Sequence, residues 1–172
     1  MTSDDGVGAA ESGDGTPVPP TPEKLRNLPS RLLAINALYA DRLVTDGMAE
    51  AGARKWHYAV LVSLDELGPA SQSALSTRTG VYRSDMVALL NELADQGFVE
   101  RAPDPDDRRR NVVTITASGR TRLRKLDRLV ADIQDEVLAP LNEPERERLV
   151  SLLSRVLRYH EKHSPRGHEN HR

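Results

Sequence analysis

Between Ser71 and Gly119 the chain carries two short helical patterns separated by a glycine, and then switches at once to strand alternation around an arginine cluster. Few folds accept that order. The segment SQSALSTRT ends at Gly80 and RSDMVALLNELADQ ends at Gly97, so two helices meet across a tight turn, with Val81 pointing into the angle. Past Gly97 the period drops from 3.6 to 2. Phe98 to Arg101 and Val112 to Thr116 are predicted to pair as an antiparallel hairpin with Val113 and Ile115 on one face. Pro103 and Pro105 stiffen the loop and are expected to shorten the pairing near its tip. The expected fold is mainly α with a small antiparallel β-hairpin wing: a winged helix-turn-helix with added N- and C-terminal dimerisation helices.

The flanks supply those helices. Residues 1–20 are Gly, Pro, Ser and Asp with almost no large apolar group, so they cannot recover their ordering entropy and are expected to be disordered. Thr21-Pro22 reads as a helix start with proline in the first helical position, and Pro29 is expected to interrupt or kink that helix. From Ser30, Leu32, Ile35, Tyr39 and Leu43 form a helical stripe. A helix over about 54–67 places Trp56, Val60, Leu64 and Leu67 on one face, and Gly68-Pro69 stops it. Ser71 caps the next helix, with Leu75 as its inward anchor, and the following helix buries Met86, Leu89, Leu90 and Leu93. Thr116 caps a long helix with a seam of Leu123, Leu126, Val130, Ile133 and Val137. After Pro140, Asn142 and Glu145 have capping-box spacing for a last helix packing through Leu149, Leu152, Leu153, Val156 and Leu157.

The resulting division is a disordered extension over 1–20, dimerisation helices over 21–50 and 117–163, the winged domain over 51–116, and a flexible tail over 164–172. Apolar faces at both ends of the chain point to a homodimer with two reading heads for a pseudo-palindromic site. The alternative is that these helices cover the monomer's own core.

Composition narrows the function. The chain has no Cys, which excludes disulfides and thiolate metal sites and agrees with a cytoplasmic location. Neither a signal-peptide pattern nor a long apolar run occurs, so no membrane role is expected. The formal charge of -2 hides segregation: residues 101–128 hold nine Arg or Lys against four Asp. Screening makes that local patch matter more than the total. No Gly-Lys phosphate loop, GxSxG elbow or HExxH helix is present, so no enzyme activity and no cofactor are expected. His160 and His163 lack the further ligands of a metal site, and none is expected there.

Double-stranded DNA is the partner this arrangement suits. Arg83 and Ser84 stand at the amino-terminal end of the second helix of the pair, the end that enters a major groove. Arg83 suits a base edge or a phosphate, and Ser84 a phosphate. Asp85 suits a cytosine amino group, or else orients Arg83 or binds a backbone N–H. Val87 or Ala88 fits a thymine methyl, and Arg78 a phosphate. In the hairpin loop, Arg108 and Arg109 are candidates for the minor groove or its phosphates, with Arg110 in support. Asp107 can hold Arg109 in a bidentate pair before DNA arrives. The competing reading is a protein-interaction module whose basic wing meets an acidic partner.

The run Gly80 to Gly119 resembles the MarR family of winged-helix regulators. The family's wing pattern of Asp-x-Arg, an aliphatic, Leu or Ile and then Thr is similar to Asp107-Arg108-Arg109-Arg110-Asn111-Val112-Val113-Thr114-Ile115-Thr116. GFVERAPDPDD and LNELADQG resemble its approach to the wing and the close of its recognition helix. The resemblance implies a homodimeric DNA-binding regulator, most often a repressor released by a small aromatic or anionic effector. It places base reading on Arg83, Ser84, Asp85, Val87 and Ala88, and the wing pair on Asp107 and Arg109. Tyr82 stands where many relatives have a capping Asp or Ser, and Ala88 where many have Arg or Lys. A family-like effector cleft falls near Trp56, which is expected in the core. Arg54, Lys55, His57 and Tyr58 are the expected effector-binding residues.

Overall fold

The computed structural model describes residues 22–103 and 111–163. Expectations for residues 1–21, for Asp107, Arg108, Arg109 and Arg110, and for the tail after His163 lie outside the described residues. The chain divides into an N-terminal unit ending at Ala37 and a larger unit beginning at Leu38.

In the N-terminal unit, α1 is a single turn, Glu23–Arg26, and Pro22 is its N-cap rather than its first helical residue. The helix is interrupted as expected, at Asn27 and Leu28, and Pro29 opens α2 (Pro29–Glu50) rather than kinking it. At the first helical position the missing N–H of proline has no partner to lose. Leu32 and Leu33 of this segment are exposed.

The larger unit contains the rest of α2, then α3 (Lys55–Leu67), β1 (Ala70–Ser71), α4 (Gln72–Thr79), α5 (Arg83–Asp95), β2 (Val99–Pro103), β3 (Asn111–Ile115), α6 (Ala117–Val137) and α7 (Glu143–His163). The core joins Val60, Leu61 and Leu64 of α3, Leu75 of α4, Met86, Leu89, Leu90 and Leu93 of α5, and Leu123 and Leu126 of α6. The expected inward residues of α4 and α5 are all buried. On α3 the buried face differs from the expected one. Trp56 is 39% exposed and Leu67 61%, while His57 and Leu61 turn inward. Val60 and Leu64 are buried as expected, and His57 and Leu61 complete the stripe in place of Trp56 and Leu67, because a hydrogen-bonded histidine takes the inner position that the indole was expected to hold.

The strands form a three-stranded antiparallel sheet in the order β1-β3-β2. Val113 and Ile115 are buried as expected, and pairing extends out to Pro103 opposite Asn111. Pro103 is thus the last described residue of the ladder, and on the outer edge strand it has no ladder hydrogen bond to donate; Pro105 lies outside the described residues. The third strand, β1, lies outside the hairpin and pairs Ala70 with Val113.

Side-chain caps fix three helix starts. Ser71 Oγ accepts from Ala74 N–H at 3.2 Å, and Thr116 Oγ1 accepts from Gly119 N–H at 3.0 Å. Asn142 and Glu145 exchange both bonds of a capping box, at 2.9 and 3.1 Å. The C-terminal helix then departs from expectation: α7 buries no residue within the chain, and Val156 and Leu157 are exposed. It does not cover this chain's own core.

Where α6 begins, the backbone approaches very closely. A Cβ at Gly119 would lie 2.1 Å from the Phe98 carbonyl oxygen, which already accepts from Thr116 N–H at 3.0 Å. Backbone on both sides cannot yield as a flexible side chain can. Gly119→Ala should therefore cost about 1–3 kcal/mol of unfolding free energy. Urea denaturation of the two proteins measures this; an unchanged midpoint would mean that α6 moves freely relative to the hairpin root.

Candidate nucleic-acid interface

Burial of one side of α5 turns its other side to solvent. Met86, Leu89, Leu90 and Leu93 face the core, and Arg83, Ser84, Asp85, Val87 and Ala88 are exposed. The turn that sets this angle is tightly specified. Gly80 is left-handed, at φ 73°, and donates its N–H to the Ser76 carbonyl at 3.0 Å. Ser76 Oγ donates to the Val81 carbonyl at 2.5 Å, and Val81 is buried. The two helices are thus locked through α4's last turn.

The polar side chains at the exposed end are already organised. Arg83 Nη2 donates to Ser73 Oγ at 3.0 Å, and Gln72 Nε2 donates to the Arg83 carbonyl at 3.5 Å. Asp85 Oδ1 accepts from Ser84 Oγ at 3.1 Å. Arg83 is therefore oriented by Ser73, from α4, and not by Asp85. Tyr82 is the N-cap of α5, makes no side-chain cap bond and is exposed. Arg78 is exposed on α4, and its Nη1 donates to the Gly68 carbonyl at 3.5 Å.

Behind this face, the residues expected to bind an effector are mostly paired within the protein. Arg54 Nη2 lies 2.6 Å from Glu92 Oε1, and Lys55 is paired with Asp41. His57 is buried, with Nε2 3.0 Å from Glu92 Oε2 and Nδ1 accepting from Arg54 N–H at 3.3 Å. An accepting Nδ1 assigns the proton of the neutral ring to Nε2, which donates to Glu92. Burial pushes the imidazole below its ordinary value of 6.5, against the opposing pull of Glu92. Of the four, Tyr58 lines an open groove of about 380 Å³ between α3 and α4. Its phenol is pushed up by burial and then by a hydrogen bond with Asp127. Arg78 lines the same groove, as does Ser63, whose buried Oγ has no hydrogen-bond partner among the described residues.

Sequence reasoning missed Glu92, Ser73 and Ser63. None carries a local pattern that separates it from a solvated helix face. His57 carried a weak signal, as a polar residue next to a core stripe.

A model of the MarR family matches residues 52–110. An uncharacterized HTH-type transcriptional regulator of Mycobacterium bovis is 34% identical over 99 residues, covering 58% of this chain and 69% of that protein. The chain belongs to the MarR family. Among solved structures, a MarR mutant from E. coli complexed with operator DNA is similar at 26% identity and a TM-score of 0.65, covering 74% of this chain and 92% of that one. PcaV, a transcriptional regulator from Streptomyces coelicolor in complex with its natural ligand, is similar at 26% identity and a TM-score of 0.65, covering 77% and 94%. The chain spans from 53% to 69% of the lengths of the first curated relatives it matches. Among the described residues no helix is long and apolar enough to cross a membrane.

The neutral, buried His57 ties the stability of this MarR-family fold to pH. Its folded-state value lies below 6.5, so on acidification the unfolded chain takes up this proton first. The contribution is intact above about pH 6.5 and is lost as the pH falls below it. Urea midpoints should drop between about pH 7.5 and about pH 5.5, and drop less in His57→Gln. Equal drops in the two proteins would assign the acid sensitivity to other groups.

Proposed function

We propose that this chain is a homodimeric, sequence-specific repressor of transcription that binds double-stranded DNA at a pseudo-palindromic site and is released by a small aromatic or anionic effector. The observation that carries the DNA reading is the exposed end of α5. Arg83, Ser84, Asp85, Val87 and Ala88 stand together on a helix whose other face is fixed in the core. That is the end of a recognition helix which enters the major groove. Arg78 provides a phosphate contact from α4. In the hairpin loop Arg108, Arg109 and Arg110 supply the charge for the neighbouring minor groove and backbone, with Asp107 orienting Arg109. The likeness to a MarR protein bound to operator DNA supports the same docking.

Residues 51–116 form the reading domain in this proposal, and the helices over 21–50 and 117–163 join two chains. The exposed apolar row on α7, including Leu153, Val156 and Leu157, supports self-association, because monomers rarely leave such a row uncovered. The effector site is the groove at Tyr58 and Arg78. A carboxylate there can pair with Arg78, and a ring can pack on Tyr58. Arg54, Lys55 and His57 act in holding the protein together. The action is binding and release, without enzymatic turnover, and the site of action is the cytoplasm.

Gel-shift titration against fragments selected from the source genome tests the DNA reading. Arg109→Ala should weaken binding to all sequences and reduce the salt slope by about one. Arg83→Ala should cost about 1–3 kcal/mol on the selected fragment and change base preference. Unchanged affinity and selectivity in both variants would reject these roles.

For the effector, titration calorimetry with a panel of aromatic carboxylic acids should find a binder whose heat is lost in Tyr58→Ala and Arg78→Ala. Binding that survives both substitutions would move the site elsewhere, and no binding across the panel would reject an aromatic-acid switch.

A further inference from the structure

Toward the C-terminal end of the recognition helix, three side chains form a joint that the DNA contacts do not use. Glu92 presents one carboxylate oxygen to Arg54 at 2.6 Å and the other to His57 at 3.0 Å. It lies nine residues after Arg83, which is about 13 Å along the axis and half a revolution around it. Glu92 therefore stands across α5 from Arg83, in line with Asp85 and Ala88 but one to two turns nearer the C-terminal end of the helix. Its partners sit at the first turn of α3, where His57 Nδ1 also accepts the Arg54 N–H. One carboxylate thus connects the tilt of α5 to the start of α3.

Building on the DNA-binding reading above, we infer that Glu92 is a positioning residue for the recognition helix, setting the angle of α5 through Arg54 and His57, and that protonation of His57 loosens this joint. The charged groups facing the imidazole are Glu92 from α5, Arg54 from the start of α3 and Arg122 from α6. Protonation places a hydrogen on Nδ1, directly against the Arg54 N–H, so donor meets donor and the first-turn bond of α3 is lost. The new positive charge also meets the guanidinium groups of Arg54 and Arg122 and the positive end of the α3 dipole. Glu92 attracts the imidazolium, but it is already shared with Arg54. The first turn of α3 opens, and α5 loses its fixed angle.

The sign of the effect separates positioning from simple electrostatics. Removing a carboxylate from a DNA-binding protein strengthens phosphate attraction and so favours binding to any sequence. Removing a positioning carboxylate weakens binding to the specific site alone.

The test uses the full chain, Glu92→Gln and Glu92→Ala, with the genomic fragment selected by the wild-type protein and an unrelated duplex of equal length. Affinity for the selected fragment should fall about tenfold in both variants, the size of one charge-assisted hydrogen bond, while affinity for the unrelated duplex stays equal or rises. Wild-type affinity for the selected fragment should decline as the pH is lowered through the neutral-to-acid range, and this decline should flatten in Glu92→Gln and in His57→Gln. Hydrogen exchange of α5 amides, measured on free protein at one pH, should be faster in Glu92→Gln. Wild-type affinity together with an unaltered pH profile in both Glu92 variants would overturn the inference. Should the wild-type chain bind no genomic fragment, the DNA reading fails, and the exchange measurement still decides the joint: equal α5 protection in wild type and variants overturns it.

Discussion

Everything the exposed face of α5 can do depends on how firmly its opposite face is held. Met86, Leu89, Leu90 and Leu93 are nearly inaccessible, and their spacing of three, one and three residues places them on one side of a helix. With that side committed, the rotation of the helix is no longer free. Arg83 and Val87, four residues apart, and Ser84 and Ala88, likewise four apart, must face outward. Core packing, rather than any contact at the surface, chooses which side chains are offered to a partner. A polar substitution at Leu90 would therefore disturb recognition without altering a single recognising atom.

A second constraint fixes the hairpin relative to that helix. Phe98 N–H donates to the Leu93 carbonyl at 2.8 Å, so the last turn of α5 passes directly into the hairpin. Thr116 and Ser118 both donate hydroxyl hydrogens to the Gly97 carbonyl, at 2.7 and 2.6 Å. Gly119 admits the Phe98 carbonyl where a side chain would collide with it. One short stretch of backbone thereby joins the end of α5, the root of both long strands and the beginning of α6. On the other edge of β3, Ala70 extends the sheet and links it to the start of α4. Reading helix and hairpin move as a unit because they share these backbone bonds.

Patterns that are local in sequence were legible in it. The stripe of α5, the caps at Ser71 and Thr116, the Asn142–Glu145 box and the left-handed turn at Gly80 each involve residues within a few positions of one another, and the fold contains all of them. Features made by distant residues were not legible. The strand β1 is two residues long and has no alternation to detect; it exists because β3 has an edge to pair with. The inner position of α3 goes to His57 rather than Trp56 because Glu92, 35 residues later, satisfies the imidazole. Arg54 and Lys55 read as free cations until Glu92 and Asp41 are seen beside them. The apolar row of α7 was correctly recognised as apolar, yet periodicity alone does not say whether a row is covered by its own chain, and here it is not.

The central claim is that the exposed turn of α5 reads duplex DNA as one member of a symmetric pair. DNase protection of the selected genomic fragment, with the mass of the same complex measured by light scattering, tests it most directly. The account predicts two protected half-sites about one helical turn, or a whole multiple of it, apart, occupied by two chains. A single protected half-site held by one chain, or retardation without any localised protection, would contradict it.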